Sequence, residues 1–443
     1  MNPPRNAPVL LIAGLASGQG KTTVTAALAA AVRRAGHRVQ VFKAGPDFID
    51  PMVLARASGQ PVFNLDDRMV GLAESRARVA AACACNDLVL IEGVMGLYDG
   101  PPSAADLARG LDVPVAVLVD AGAMAQTFGA VVLGLAEYGA RQGRPLRVLG
   151  ALANRVASAG HGRMLAESLP PGLPLLAALP RLAQTLPERH LGLASEALAE
   201  VDAAIAAMAD AIEPAMLAQL LALPGWAGEV AALPALPPLL QGRQIAVAQD
   251  AAFRFVYPAN LETLQALGAT LHPFSPLADE PVPAAADALW LPGGYPELHA
   301  AELAAATRWT ASVQAFHAAG RPIWAECGGM MALAQSMRLS DGTRHAMAGL
   351  LPGEVAMQPR LAGLGVQQLA LPGLQALDPL RGHTFHYSTL DTPLAPQAHC
   401  ERLGGGAGEA LWQQGSLRAS YFHAYFASAP AATAALFQPV PSP

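Results

Sequence analysis

Residues 9–23 read VLLIAGLASGQGKTT, and the order of side-chain types in them decides the fold. Val9 to Gly14 is apolar without alternation, as a strand is when both faces of its sheet are covered. Leu15 to Gly20 then turns the chain into an alanine-rich helix that begins near Lys21. Gly18 and Gly20 let backbone N–H groups curl around phosphate oxygens, and the positive end of the helix adds to the attraction. Lys21 is expected to reach the β- and γ-phosphates of a nucleotide, with the Thr22 hydroxyl on Mg²⁺ and Thr23 next to it in the same cradle. The first glycine, Gly14, stands one position early for the common spacing G-x-x-x-x-G-K-[ST], because position 15 is Leu. That departure suits ATP-dependent ligases and partition ATPases better than GTPases. A plain glycine-rich turn is the alternative, but strand, loop and helix follow in the order a phosphate cradle needs.

The same texture continues outward from this stretch. RVQVFKAG (38–45), DLVLIEGV (87–94), VPVAVLVD (113–120) and RVLGALANRV (147–156) are further apolar runs, with Ala/Leu-rich stretches of helical length between them. Apolar strands separated by helices predict a doubly wound, mostly parallel α/β sheet. From about residue 196 the chain becomes an Ala-rich helix and then LPALPPLLQG (233–242), which holds no strand and reads as a boundary. The pattern restarts after Arg243 with QIAVAQD (244–250), ADALWLPGG (286–294) and RPIWAEC (321–327). The expected organisation is a P-loop domain over 1–200, a linker region over 201–242 and a second α/β domain over 243–438.

Composition bounds the function. A chain of 443 residues exceeds one ordinary core. Its 53% hydrophobic and 14% charged residues exclude a disordered chain. Much of the apolar content is alanine, and the longest apolar stretch, Val113 to Leu135, is interrupted by Asp120 and Gln126, so no membrane span is expected. The short polar lead before Val9 runs straight into the motif, which argues against a signal peptide and for a cytoplasmic protein. A net charge of −6 argues against a nucleic-acid partner. Cys83, Cys85, Cys327 and Cys400 are too few for a disulfide framework, and Cys83 and Cys85 read as small buried hydrophobes.

Two later strand ends carry acids. GPDFIDP (45–51) follows Lys43, and EGVMGLYDG spans 92–100. Ligands bind at such strand ends in doubly wound sheets. Asp47 and Glu92 are the expected Mg²⁺ carboxylates beside Thr22, and Lys43 is placed to hold charge on a transferring phosphoryl group. Asp50 and Asp99 as isolated acids would be turn caps; grouped at one sheet edge, they are read as functional.

In the second half, PIWA (322–325) runs into Glu326-Cys327-Gly328-Gly329 and then a helix. A nucleophile on a sharp strand-to-helix turn among small residues is a nucleophile elbow, and the helix start is expected to lower the thiol's pKa and expose its sulfur. Gly294, in PGGYPE (292–297), and Gly328 are expected to supply oxyanion-hole N–H groups. The thiol needs a base. His423, in the strand-like SYFHAYF (420–426), is preferred over His386, while His383 and His386 are expected to line the interface or the substrate path.

GPDFIDP, EGVMGLYDG, LPGGYPE, AECGGM, RGHTFHYS and ASYFHAYF, in this order, resemble the cobyrinate or hydrogenobyrinate a,c-diamide synthases of cobalamin biosynthesis, from the P-loop to about residue 427. The resemblance implies a dethiobiotin-synthetase-like domain fused to a class I glutaminase of the cobyric-acid-synthase type. It implies that ATP phosphorylates the a and c acetates of a corrinoid polycarboxylate and that ammonia from glutamine converts each acyl phosphate to an amide. By position it implies Lys21, Thr22, Asp47 and Glu92 on ATP·Mg²⁺, Asp50 and Asp99 around the substrate carboxylate, and Asn154-Arg155 at the nucleotide base. It also implies Cys327 as nucleophile and His423 as base, and carries the expectation of a homodimer. Ordinary class I glutaminases have a Glu two residues after the His; here the position is Tyr425, so a Cys–His dyad is expected. The nickel-sirohydrochlorin a,c-diamide synthases share these motifs, and a partition-type ATPase switch is the rival from another class. The switch has no use for a cysteine elbow.

Overall fold

The computed structural model describes residues 6–181, 195–230, 233 and 235–439. They form two compact units, Met1–Leu233 and Pro234–Pro443.

The strands of the first unit are β1 (Val9–Gly14), β2 (Val39–Ala44), β3 (Phe63–Leu65), β4 (Leu88–Gly96), β5 (Val115–Asp120), β6 (Val148–Val156) and β7 (Leu175–Pro180). The helices are α1 (Lys21–Arg34), α2 (Ile49–Ser58), α3 (Leu72–Cys85), α4 (Ala104–Leu111), α5 (Thr127–Arg141), α6 (Ala159–Ser168), α7 (Ser195–Asp210) and α8 (Pro214–Leu221). The strands pair in parallel in the order β3-β2-β4-β1-β5-β6-β7. Successive side chains of β1 serve opposite faces: Leu10 and Ile12 join one core cluster, Val9, Leu11 and Ala13 the other. That two-sided burial is why the strand sequences lack polar alternation. The parallel pairing brings the loops after β1, β2 and β4 to one sheet edge.

The linker expected over 201–242 is corrected by this packing. Val201, Ile205 and Met208 of α7, with Met216, Leu217 and Leu220 of α8, lie in the same core cluster as Val24, Leu28 and Val32 of α1. Arg34 reaches Asp210 at 2.7 Å, Arg56 pairs with Asp202, and Trp226 Nε1 donates to the Leu111 carbonyl at 2.8 Å. The alanine content that hid these helices' allegiance lets them lie close to the equally alanine-rich α1. A second correction concerns the cysteine pair: Cys83 is buried, but Cys85, at the end of α3, is exposed.

The second unit contains β8 (Gln244–Ala248), α9 (Pro258–Ala266), β9 (Thr270–Phe274), β10 (Ala288–Leu291), α10 (Ala300–Ala305), α11 (Thr307–Ala318), β11 (Ile323–Glu326) and α12 (Gly328–Leu333). Strands dominate the remainder: β12 (Ala334–Arg338), β13 (Arg344–Ala346), β14 (Leu351–Met357), β15 (Gly363–Leu369), β16 (Leu380–His386), β17 (Ser388–Asp391), β18 (Ala398–Arg402), β19 (Ala407–Gln414), β20 (Leu417–Ser420) and β21 (His423–Tyr425). One sheet has the order β21-β16-β15-β18-β19-β20-β11-β10-β8-β9, parallel from β20 to β9 and antiparallel from β21 to β20. A smaller sheet holds β13-β12-β14-β17. Among the described residues no single helix is long and apolar enough to cross a membrane.

Candidate active sites

The loop after β1 is shaped by its glycines. Gly18 and Gly20 have φ of 77° and 90°, conformations that cost a residue with a Cβ. Gly20 is also crowded: a Cβ there would stand 2.3 Å from Asn154 Nδ2. Asn154 itself donates to the Gln19 carbonyl at 2.9 Å, and Gln19 Oε1 accepts from the Asp120 backbone N–H at 2.8 Å. The ends of β5 and β6 therefore clamp the loop. Asn154, which the resemblance sets at the nucleotide base, here holds the backbone of the phosphate loop, and Arg155 beside it pairs with Asp120. Gln19 was passed over in the sequence, although it stands inside the quoted motif. Lys21 lies back over the loop, donating to the carbonyls of Ala16 at 3.0 Å and Met95 at 2.5 Å.

Thr22, Lys43, Asp50 and Glu92 converge. The Thr22 hydroxyl donates to Glu92 Oε1 at 2.9 Å, and the Lys43 ammonium lies 2.7 Å from both Glu92 Oε1 and Asp50 Oδ2, with Asp47 at 3.8 Å. Lys43, Asp50 and Glu92 are all buried. Burial works against the Lys43 ammonium, but the carboxylates of Glu92, Asp50 and Asp47 outweigh it and hold the group above its ordinary pKa. Burial likewise pushes Glu92 up, against the pull of Lys43. Glu92 Oε2 is buried without a hydrogen-bond partner among the described residues. A hydroxyl, a carboxylate with an unused oxygen and a neighbouring acid are hard oxygen donors of the kind Mg²⁺ takes. Asp47 also caps α2, its Oδ1 accepting from the N–H groups of Ile49 and Asp50. Asp99 is placed differently: its Oδ2 accepts from the Gly96 N–H at 2.9 Å and closes the turn after β4. In this structure Asp99 has the turn-cap contact that the sequence reading had set aside.

In the second unit Cys327 stands between β11 and α12 with φ 43° and ψ −106°, a strained conformation for a residue with a side chain. Its N–H donates to the Ser420 carbonyl at 2.7 Å, which fixes the elbow to the end of β20. The expected exposed, acidified thiol is corrected: Cys327 is 4% exposed. Burial pushes its pKa up, the carboxylates of Glu297, Glu409 and Glu326 add to this, and a hydrogen bond involving the Gly328 backbone opposes it. A six-residue helix start does not outweigh that burial. Gly294 and Gly328 come together; a Cβ on Gly328 would lie 2.8 Å from the Gly294 nitrogen, and one on Gly294 would lie 1.9 Å from the Ala252 carbonyl oxygen. Only glycines fit there.

His423 lies at the same end of the sheet as Cys327, three residues past the Ser420 that anchors the elbow. Its ring packs so closely on Gly293 that a Cβ there would stand 2.2 Å from Cε1. His383 pairs with it across β16 and β21, and the rings stack at 5.2 Å and 22°. Burial lowers the pKa of His423 well below that of a free imidazole, with His383 and His386 adding to it; burial takes His383 down to about 3. Tyr257 hydrogen-bonds His383 Nδ1 at 2.7 Å, while Tyr425 is wholly buried with its ring 5.6 Å from Tyr257. His386 stacks on Tyr421 at 3.8 Å and meets Glu409 at 3.2 Å. His383, expected at an interface or substrate path, is thus part of the packing around His423. Tyr257 and Glu409 were missed in the sequence, because nothing in their own neighbourhoods marks them.

Comparison with known proteins gives the pattern of both sites a family. The CobQ/CobB/MinD/ParA nucleotide binding domain matches residues 10–193, and the CobB/CobQ-like glutamine amidotransferase domain matches residues 244–431. A cobyrinate a,c-diamide synthase of Herminiimonas arsenicoxydans is 53% identical over 99% of this chain and 98% of its own. The chain belongs to the cobyrinate and hydrogenobyrinate a,c-diamide synthase family. Hydrogenobyrinate a,c-diamide synthases of Stutzerimonas stutzeri and Pseudomonas aeruginosa are 51% and 50% identical, each over 98% of this chain and 99% and 98% of their own. As a member of this diamide synthase family, the protein is a glutamine-hydrolysing carbon–nitrogen ligase with a nucleotide-binding P-loop domain.

Proposed function

We propose that the protein uses ATP and glutamine to amidate the a- and c-acetate carboxylates of cobyrinic or hydrogenobyrinic acid in cobalamin biosynthesis. The observation that carries the reading is the joint presence, in one chain, of the Thr22–Glu92–Lys43 cluster at a P-loop and the Cys327 elbow with His423. A carboxylate is a poor electrophile; attack of its oxygen on the γ-phosphorus of ATP expels ADP and leaves an acyl phosphate. Ammonia then attacks the acyl carbon, and inorganic phosphate leaves with the bonding electrons. The P-loop N–H groups and Lys21 bind the nucleotide phosphates, and Lys43 neutralises charge on the transferring group. Thr22 and Glu92 would hold Mg²⁺, which when bound supplies further neutralisation of the phosphates. Asp50 orients Lys43. In the glutaminase, Cys327 attacks the side-chain amide carbon of glutamine, His423 takes the thiol proton and returns it to the departing ammonia, and water releases glutamate. Gly294 and Gly328 stabilise the oxyanion. A cytoplasmic, homodimeric enzyme belongs to the same reading.

Product mass after incubation with ATP, Mg²⁺, glutamine and each corrinoid acid tests this. Wild type should add two amides, and Cys327→Ala should do so only with ammonia in place of glutamine. Intact glutaminase activity with neither corrinoid amidated would defeat the substrate assignment.

A further inference from the structure

The strands that carry the nucleophile and the base are not neighbours. Cys327 follows β11 and His423 opens β21, and in the sheet order β16, β15, β18, β19 and β20 lie between them. Backbone pairing holds Glu326 opposite Ser420, after which the chain leaves β20 and rejoins the sheet beside β16, where His423 pairs with His383. No strand ladder sets the distance from Cys327 to His423. A side chain crosses that gap. Glu326, immediately before the nucleophile, accepts at Oε1 from the backbone N–H of Ala424, immediately after the base, at 3.2 Å. The same oxygen accepts from Trp324 Nε1 at 2.7 Å, which fixes the carboxyl from behind. On its other side Ala424 is held by Asn260, whose Nδ2 donates to the Ala424 carbonyl at 2.8 Å and whose Oδ1 accepts from the Phe426 N–H at 2.8 Å.

We propose that Glu326 is a positioning residue of the glutaminase, its Oε1 fastening the segment that carries His423 to the strand that presents Cys327. Burial makes the contact rigid: Glu326 is 1% exposed, and Trp324 beside it is fully buried. Among the described residues Oε1 meets two N–H donors and no cation, so the task is that of an acceptor rather than of a charge. Burial suits the neutral acid, holding its pKa up at about 8 against the hydrogen bonds from Trp324 and Ala424. A glutamine side chain offers the same acceptor oxygen at the same length. This role depends on Cys327 and His423 being nucleophile and base, which Cys327→Ala tests separately.

Glu326→Met and Glu326→Gln decide it in the full-length protein. Removing the acceptor with Met should cut glutamine-dependent kcat by about 100-fold, as misplacement of a catalytic group by an ångström does, with KM for glutamine within a few-fold. Ammonia-dependent amidation should be retained, which shows that the chain folds and that the synthetase works. Gln should recover most of the loss, with an unchanged pH profile. Gln as damaging as Met would mean that a carboxylate charge is needed and would overturn the positioning role. Full glutaminase activity in the Met variant would overturn it too. If the Met protein fails to fold, the Gln variant still discriminates, by activity near wild type or its loss. Glutamine-dependent synthesis surviving in Cys327→Ala would instead remove the nucleophile assignment, and this proposal with it.

Discussion

The Lys43 ammonium stands 2.7 Å from Glu92 Oε1, the same oxygen that accepts the Thr22 hydroxyl at 2.9 Å. A lysine thus occupies the centre of a buried carboxylate cluster that opens onto the phosphate loop. Lys43→Met would leave Asp50 and Glu92 without their counter-ion, a loss of about 3–5 kcal/mol for a broken buried pair. Urea denaturation should show that deficit at neutral pH. It should shrink as pH falls and the two carboxylates take up protons, and ATP-dependent amidation should be lost throughout.

Gly293→Ala should act on the base alone. Its Cβ would fall 2.2 Å from His423 Cε1, so the ring must move. Glutamine-dependent turnover should drop by about 100-fold, while ammonia-dependent amidation stays near wild type. Equal losses with both nitrogen sources would show that His423 is not what the substitution disturbs.

Gly20→Ala should disturb the phosphate loop from two sides. The residue has φ 90°, and its Cβ would meet Asn154 Nδ2 at 2.3 Å, displacing the side chain that holds Gln19. Backbone strain of this kind costs about 1–3 kcal/mol. Titration with a fluorescent ATP analogue should show at least tenfold weaker binding. Asn154→Ala should show a smaller loss, because it removes the clamp without the strain.

The buried titratable groups of the glutaminase give its stability a shaped pH dependence. Glu326 and Glu297 keep their protons in the folded chain up to about 8 and about 7, chiefly through burial, against an ordinary carboxylate value of 4.5. Their contribution is therefore full below about 4.5 and is lost as pH rises through 7 and 8. His383 and His423, lowered by burial from 6.5, contribute in full above that value and lose it as pH falls. Between about 4.5 and 6.5 the two proton counts oppose each other, so Tm should be nearly flat there and fall above pH 7. A Tm still rising from pH 7 to 8.5 would contradict the protonated state of Glu326.

The legible parts of this chain were those whose signal is local. The strands β1, β2, β4, β5 and β6 announced themselves because burial on both faces leaves unbroken apolar runs. β3 is only three residues long, and β7 is a half-exposed edge strand ending in Pro180, so neither carries such a run. Cys327 could be singled out by its glycine-flanked elbow and His423 by its strand-end motif. Tyr257 could not, because its partner His383 lies 126 positions away and only the sheet brings them together. Asp99 differs again: the contact it makes, accepting from the Gly96 N–H three residues back, is itself local, and its grouping with the other acids drew the reading past that contact.

The resting glutaminase site is electrically quiet. Burial raises the Cys327 thiol and lowers the His423 imidazole, so the proton stays on sulfur and the ring stays neutral. A protonated thiol is a poor nucleophile. The pair must therefore be roused by what enters the pocket, the arriving amide and the oxyanion it forms, rather than standing permanently armed.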